Sequence, residues 1–195
     1  IITSQIEHKA ILNTCKALQQ MGWEVTYLPV DKYGIVQPDD LQSAMRNNTR
    51  LVSIMLANNE VGTIEPIKTL AAVAHAGGAL FHTDAVQAVG HIPVNVNEPG
   101  VDFLSLSAHK FGGPKGMGAL YAKDGAISSF VDGGGQEMGR RSGTENVPGI
   151  IGTAVALMLA DGLMSHNAQK ARSLRDCIID ELSSMDGVLV TGPDP

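Results

Sequence analysis

The sequence predicts an α/β fold built on a largely parallel sheet flanked by helices. Three observations carry this. Strand-like and helix-like segments alternate along most of the 195 residues. Residues 51–57 are a continuous apolar run, the pattern of a strand that helices bury on both faces. Polar residues gather directly after such runs, at Asn58-Asn59-Glu60, at Asp84 and at Ser107-Ala108-His109-Lys110. Those are carboxyl ends of strands, where open α/β sheets hold their ligands.

The elements follow in order. Residues 1–4 read as the end of a strand. Residues 7–21 place Ile11, Cys15, Leu18 and Met21 at helical spacing, and Gly22 stops the helix. Residues 23–30 alternate as a strand closed by Pro29. Residues 38–46 form a short helix with Asp39 and Asp40 in its first turn, where they suit the helix dipole. The apolar strand 51–57 comes next, then a helix over 67–75 ended by Gly77-Gly78. Strands read at 79–83, 102–107 and 119–123, and Gly133-Gly134-Gly135 marks a loop. Two long helices, 148–160 and 166–185, precede a further strand that opens at 188–191. Residues 1–150 therefore make a sheet domain, and 151–195 read as linking helices and the start of a second, smaller domain. The chain begins Ile-Ile-Thr-Ser and closes on Gly-Pro-Asp-Pro straight after a strand, the expectation being a central fragment of a longer protein.

Composition narrows the function classes. Hydrophobic residues at 44% and charged residues at 17% fit a soluble globular protein. A net charge of −6, with the 14 Lys and Arg scattered, speaks against a nucleic-acid surface, which needs clustered cations. Cys15 and Cys177 form no C-x-x-C pair, so neither a disulfide framework nor a metal site is expected, and a reducing, cytoplasmic setting fits. The longest uncharged apolar stretch, 147–160, falls short of the ~20 residues that span a bilayer. No membrane role and no secretory signal are read.

Each chemically capable residue has a plain reading beside a functional one. Lys110 precedes Phe111-Gly112-Gly113-Pro114, a turn that lets backbone approach a ligand closely. By itself it is a solvated loop lysine; in a desolvated site it could attack a carbonyl. Ser107 and His109 beside it can both donate to a phosphate. Asp84 follows an apolar strand, where an unpaired carboxylate is costly. It either caps a following helix or pairs a protonated pyridine nitrogen, the electron sink of pyridoxal phosphate (PLP) chemistry. Gln87 would share its helix face and reach a ring hydroxyl. His8 is a surface histidine or a ring that stacks on a cofactor. Asn59 is a turn residue or a ligand. Arg140-Arg141-Ser142-Gly143-Thr144 is a solvated loop, or it holds phosphate through Thr144 and backbone N–H groups.

Five motifs decide between these readings: Ile2-Thr3-Ser4-Gln5-Ile6-Glu7-His8, Asn58-Asn59-Glu60-Val61-Gly62, His82-Thr83-Asp84-Ala85-Val86-Gln87, Ser107-Ala108-His109-Lys110 and Arg141-Ser142-Gly143-Thr144-Glu145-Asn146. Occurring in this order, they closely resemble the cysteine desulfurases of the NifS/IscS type, in the class V aminotransferase superfamily. The segments Gly112-Gly113-Pro114-Lys115-Gly116 and Gly133-Gly134-Gly135-Gln136-Glu137 favour that branch over the SufS branch. One departure is Ala108, where many relatives have Gly.

The resemblance implies the large domain of a fold-type I PLP enzyme that works as a homodimer. It gives Lys110 the Schiff base with the cofactor, Asp84 the pyridine nitrogen, and His8 a stacking and catalytic place on the ring. It puts Asn59 and Gln87 near the ring hydroxyl, Ser107 and His109 on the phosphate, and Thr144 on the phosphate of the partner subunit. The expected reaction is L-cysteine to L-alanine, with sulfur left on an enzyme cysteine as a persulfide and passed on to an acceptor such as an iron–sulfur scaffold. That persulfide-forming Cys and a carboxylate-binding Arg are expected beyond residue 195, and a phosphate loop before residue 1. Selenocysteine lyase is the alternative within the same chemistry. A non-catalytic fragment that only binds PLP or dimerises is the alternative outside it.

Overall fold

The computed structural model describes residues 1–97, 100–125 and 127–193. Six strands form one sheet: β1 (Ile2–Ser4), β2 (Thr26–Leu28), β3 (Leu51–Ser53), β4 (Leu80–Asp84), β5 (Phe103–Ser107) and β6 (Gly118–Ala122). Their spatial order is β2-β1-β3-β4-β5-β6, parallel throughout except for the antiparallel edge strand β6. The mostly parallel sheet is the one the sequence predicts.

Three helices cross between the parallel strands: α1 (Lys9–Gln20), α2 (Pro38–Ala44) and α3 (Ile67–Ala76). The first two start where their sequence suits free backbone donors. His8 Nδ1 accepts from Ala10 N–H at 3.1 Å, and Pro38 opens α2 with Asp39 and Asp40 in its first turn. The core lies between the sheet and these helices, where Val52, Ile54, Phe81 and Leu104 pack with Leu41, Leu70 and Ala74. The apolar run from 51 outlasts the regular ladder of β3. Ile54 N–H still donates to His82 O at 3.1 Å and Leu56 N–H to Asp84 O at 2.9 Å.

Four expectations change. Residues 86–91 wind through successive turns instead of a helix, with Gly90 among them at φ +82°. A β-carbon on Gly90 would sit 2.6 Å from that of Phe111, so only glycine fits there. The two expected helices after 147 are one, α5 (Val147–Ser183). Where the two expected helices meet stand Gly162 and the polar residues 165–167, and one glycine costs about 1 kcal/mol against alanine, too little to stop a long helix. As one helix α5 is long and apolar enough to cross a membrane by length and composition alone. This corrects the reading from 147–160 alone. Residues 188–191 form no strand, since nothing among the described residues pairs with them; Asp194 and Pro195 lie outside the described residues. Before α5, the four-residue α4 (Gln136–Gly139) is a tight turn with Glu137 and Met138 at positive φ.

Candidate active site

Because β1, β3, β4 and β5 run parallel as neighbours, their carboxyl ends share one edge of the sheet. Seven of the eight predicted site residues follow these ends. His8 comes after β1, Asn59 after the β3 segment, Asp84 and Gln87 at and after β4, and Ser107, His109 and Lys110 at and after β5.

The end of β5 is the most sharply built. The chain leaves Ser107 as a 3₁₀ turn, Ala108–Phe111, which Gly112 closes in the left-handed conformation at φ +86°. Ala108 is fully buried, and Gly113 N–H donates to its carbonyl at 2.8 Å. The turn leaves His109 and Lys110 exposed. Ser107 Oγ lies 2.8 Å from His109 Nδ1, so the two form one polar pair. His91 Nε2 lies 2.9 Å from Lys110 O and holds the turn from behind. The Lys110 ammonium makes no ion pair among the described residues. A groove of about 390 Å³ separates this turn from α5. Gly90, His91, Lys110, Phe111 and Leu159 line it, and no other predicted residue does.

Asp84 is 8% exposed at the end of β4. Its Oδ1 accepts from Val86 N–H at 3.0 Å, and its Oδ2 has no hydrogen-bond partner among the described residues. The carboxylate therefore steadies the turn behind it and keeps one oxygen for a ligand. Gln87 is half-buried on that turn. His8 is exposed, and its ring is oriented by the Nδ1 cap on α1. Asn59 is exposed. Thr144 is exposed in the loop before α5, and no hydrogen bond ties it to the other candidates.

Three neighbours were not singled out from the sequence. Asn58, beside Asn59, accepts from Glu60 and Val61 N–H through Oδ1 and donates to Ile6 O at 2.9 Å. The doubled Asn was a signal, but it did not say which member faces in. His82 bridges three strands, with Nδ1 2.8 Å from Ser53 Oγ and Nε2 2.8 Å from Ser105 Oγ. Burial holds its imidazole below the ordinary histidine range, against the opposing pull of Asp84. Glu7 is 4% exposed and accepts from Ser4 Oγ and Met55 N–H. These contacts depend on strand order, which periodicity does not reveal.

The donor set has a definite chemistry. One oxygen of a buried carboxylate can take a protonated ring nitrogen, a hydroxyl–imidazole pair can take a phosphate, and an unpaired amine can take a carbonyl. The residues fit a phosphorylated aldehyde cofactor with a basic ring.

An open, mainly parallel α/β domain with a lysine and an acid on adjacent strand ends defines a cofactor-binding class of enzyme folds. Within it, the aminotransferase class-V profile matches residues 1–195, and the chain belongs to that family. It is 54% identical, over 99% of its length, to "Cysteine desulfurase IscS" of Dictyoglomus turgidum, of which it covers 50%. Among solved structures, a "NIFS-LIKE PROTEIN" matches at a TM-score of 0.93 and 44% identity, covering 97% of this chain and 53% of the other. A structure described as "SspA in complex with cysteine" matches at 0.78 and 44% identity, covering 80% and 46%. The chain spans about half the length of the curated relatives it matches.

Proposed function

We propose that this chain is part of a PLP-dependent cysteine desulfurase, which converts L-cysteine to L-alanine and leaves the sulfur on an enzyme cysteine as a persulfide. The observation that carries this reading is the position of Asp84 and Lys110 at the ends of the adjacent parallel strands β4 and β5, with the Ser107–His109 pair beside them. The names of the relatives and the cysteine bound in one solved neighbour add support. We extend the reading to a homodimer in the cytoplasm that hands sulfur to an acceptor such as an iron–sulfur scaffold. In it, residues 1–150 form the cofactor-binding large domain and 151–195 lead into a smaller one.

When bound, PLP supplies an aldehyde that condenses with amines and a ring that draws electrons from bonds at the substrate carbon. Lys110 would hold it through Nζ and later carry protons to and from that carbon. Asp84 would keep a proton on the ring nitrogen. Ser107 and His109 would bind the phosphate from one side, and Thr144 would reach the phosphate of the partner subunit. His8 would cover the ring face, with Asn59 and Gln87 near the ring hydroxyl. Neither Cys15, buried in α1, nor Cys177, on α5, follows a strand end, so we assign sulfur acceptance to a cysteine outside these residues.

The test is Lys110→Ala in the full-length protein. Covalently attached cofactor, read as visible absorption, and cysteine-dependent alanine formation should both disappear. Retention of both overturns the assignment, and turnover of L-selenocysteine with none of L-cysteine moves it to selenocysteine lyase.

A further inference from the structure

We propose that Glu7 is a positioning residue, whose carboxyl group locks the turn carrying His8 onto the segment carrying Asn59. The inference rests on the PLP reading of the site and adds a residue to it.

The geometry starts from the sheet. β3 pairs β1 only through Ile2↔Val52 and Thr3↔Ser53, because β1 ends at Ser4. On the other edge the β3 segment continues, since Ile54 and Leu56 donate to β4 carbonyls. Alternation along an extended strand turns the next donor, Met55 N–H, towards β1. Among the described residues Met55 N–H makes no backbone hydrogen bond to β1, and a buried N–H without an acceptor is costly. Glu7 Oε1 takes that place at 2.8 Å, and the same oxygen accepts from Ser4 Oγ at 2.7 Å. Asn58 Nδ2 adds a second tie to Ile6 O at 2.9 Å. The turn 4–8 and the segment 55–58 are thus pinned together immediately before His8 and Asn59.

The carboxyl group does this while buried, with Oε2 lacking any partner among the described residues. The groups that face it are Asp84 from the end of β4, Glu65 from ahead of α3 and the Cys15 thiol from α1. None is a cation. A proton on Oε2 relieves both the burial and the repulsion, and leaves Oε1 free to accept both donors. Accordingly, burial pushes the Glu7 carboxyl up to about 7, against the two hydrogen bonds and with help from Asp84 and Glu65.

Below about pH 7 the acid is mostly neutral, and an amide of the same length keeps the accepting oxygen, so at about pH 6 glutamine should serve and shorter side chains should not. In the full-length protein we would measure PLP affinity of the apo form by fluorescence and amide exchange of residues 54–58 by mass spectrometry. Glu7→Gln should bind PLP within about twofold of wild type, with unchanged exchange. Glu7→Ala should weaken PLP binding about tenfold, as for one or two lost hydrogen bonds, and speed exchange of 54–58. Glu7→Asp, one methylene short, should behave like Glu7→Ala and keeps the test open if alanine prevents folding. Wild-type affinity and exchange in Glu7→Asp or Glu7→Ala overturn the proposal. Weak binding by Glu7→Gln overturns the neutral form of the clasp. Failure of the wild-type protein to bind PLP counts against the proposed cofactor, whereas normal exchange in Glu7→Asp counts against the clasp alone.

Discussion

Single residues matter here through the polar atoms that the fold pairs and those it leaves over. Asp84 uses one oxygen on Val86 N–H and leaves the other unpaired among the described residues, the oxygen that the proposed reading gives to a ring nitrogen. In the full-length protein, Asp84→Ala should leave cofactor attached through Lys110 but lower cysteine turnover by roughly 10²–10³, the loss typical of one oriented charge-stabilising group. Cysteine turnover at the wild-type rate would contradict that role. Glu65 makes a different point. Its Oε2 accepts from Val36 N–H at 2.9 Å while Oε1 has no partner among the described residues, and burial raises its carboxyl to about 7 from 4.5. Between those pH values the folded chain holds a proton that the unfolded chain has lost. Stability from this acid is therefore fully present below about 4.5 and is lost as pH rises through 7. Thermal stability of the wild type should fall between about pH 4.5 and 7, and Glu65→Gln should remove up to about 1.4 kcal/mol per pH unit of that slope. An unchanged slope in the variant would show that Glu65 ionises normally.

Elements are held in register by polar contacts as well as by the core. The register pairs Ser53 with His82 and Asp84 with Ser105, which puts His82 between two serines on neighbouring strands. Its imidazole spans β3, β4 and β5 two residues before Asp84 ends β4. His82→Ala removes packing and strips both hydroxyls of their partner, and should cost about 2–4 kcal/mol of stability. Calorimetry on the apo protein would measure it, and a change under about 0.5 kcal/mol, the size of an ordinary surface substitution, would show the bridge to be idle. α5 shows the limit of local signals. Gly162 and the polar residues 165–167 read as a break in the sequence, yet helical hydrogen bonds continue through them.

At the scale of the molecule, the open question is the surface of α5. Val147, Ile150, Ile151, Val155, Met158 and Leu159 are all substantially exposed along it. Exposed apolar surface on this scale drives association in water. The 195-residue chain produced by itself should therefore run as oligomers in size-exclusion chromatography, and Ile151→Lys with Met158→Lys should shift it towards monomer. A monodisperse wild-type monomer would refute this.

Local chemistry determined much of this protein. The alternation of apolar runs and amphipathic segments set the α/β class, since burial of strands and helix faces leaves its period in the sequence. The placing of Lys110, Asp84 and their neighbours at strand ends was legible because strand ends can be read from the sequence, and open α/β sheets hold ligands there. Strand order and register cannot be read that way, because they rest on contacts between residues far apart in the chain. Only the tertiary structure decided that Glu7 meets Met55, that His82 joins Ser53 to Ser105, and that Asn58 faces inward while Asn59 remains outside. It also left Thr144 without a hydrogen bond to the other candidates. A buried polar atom must find a partner wherever the fold supplies one, and spacing along the chain does not encode where that is.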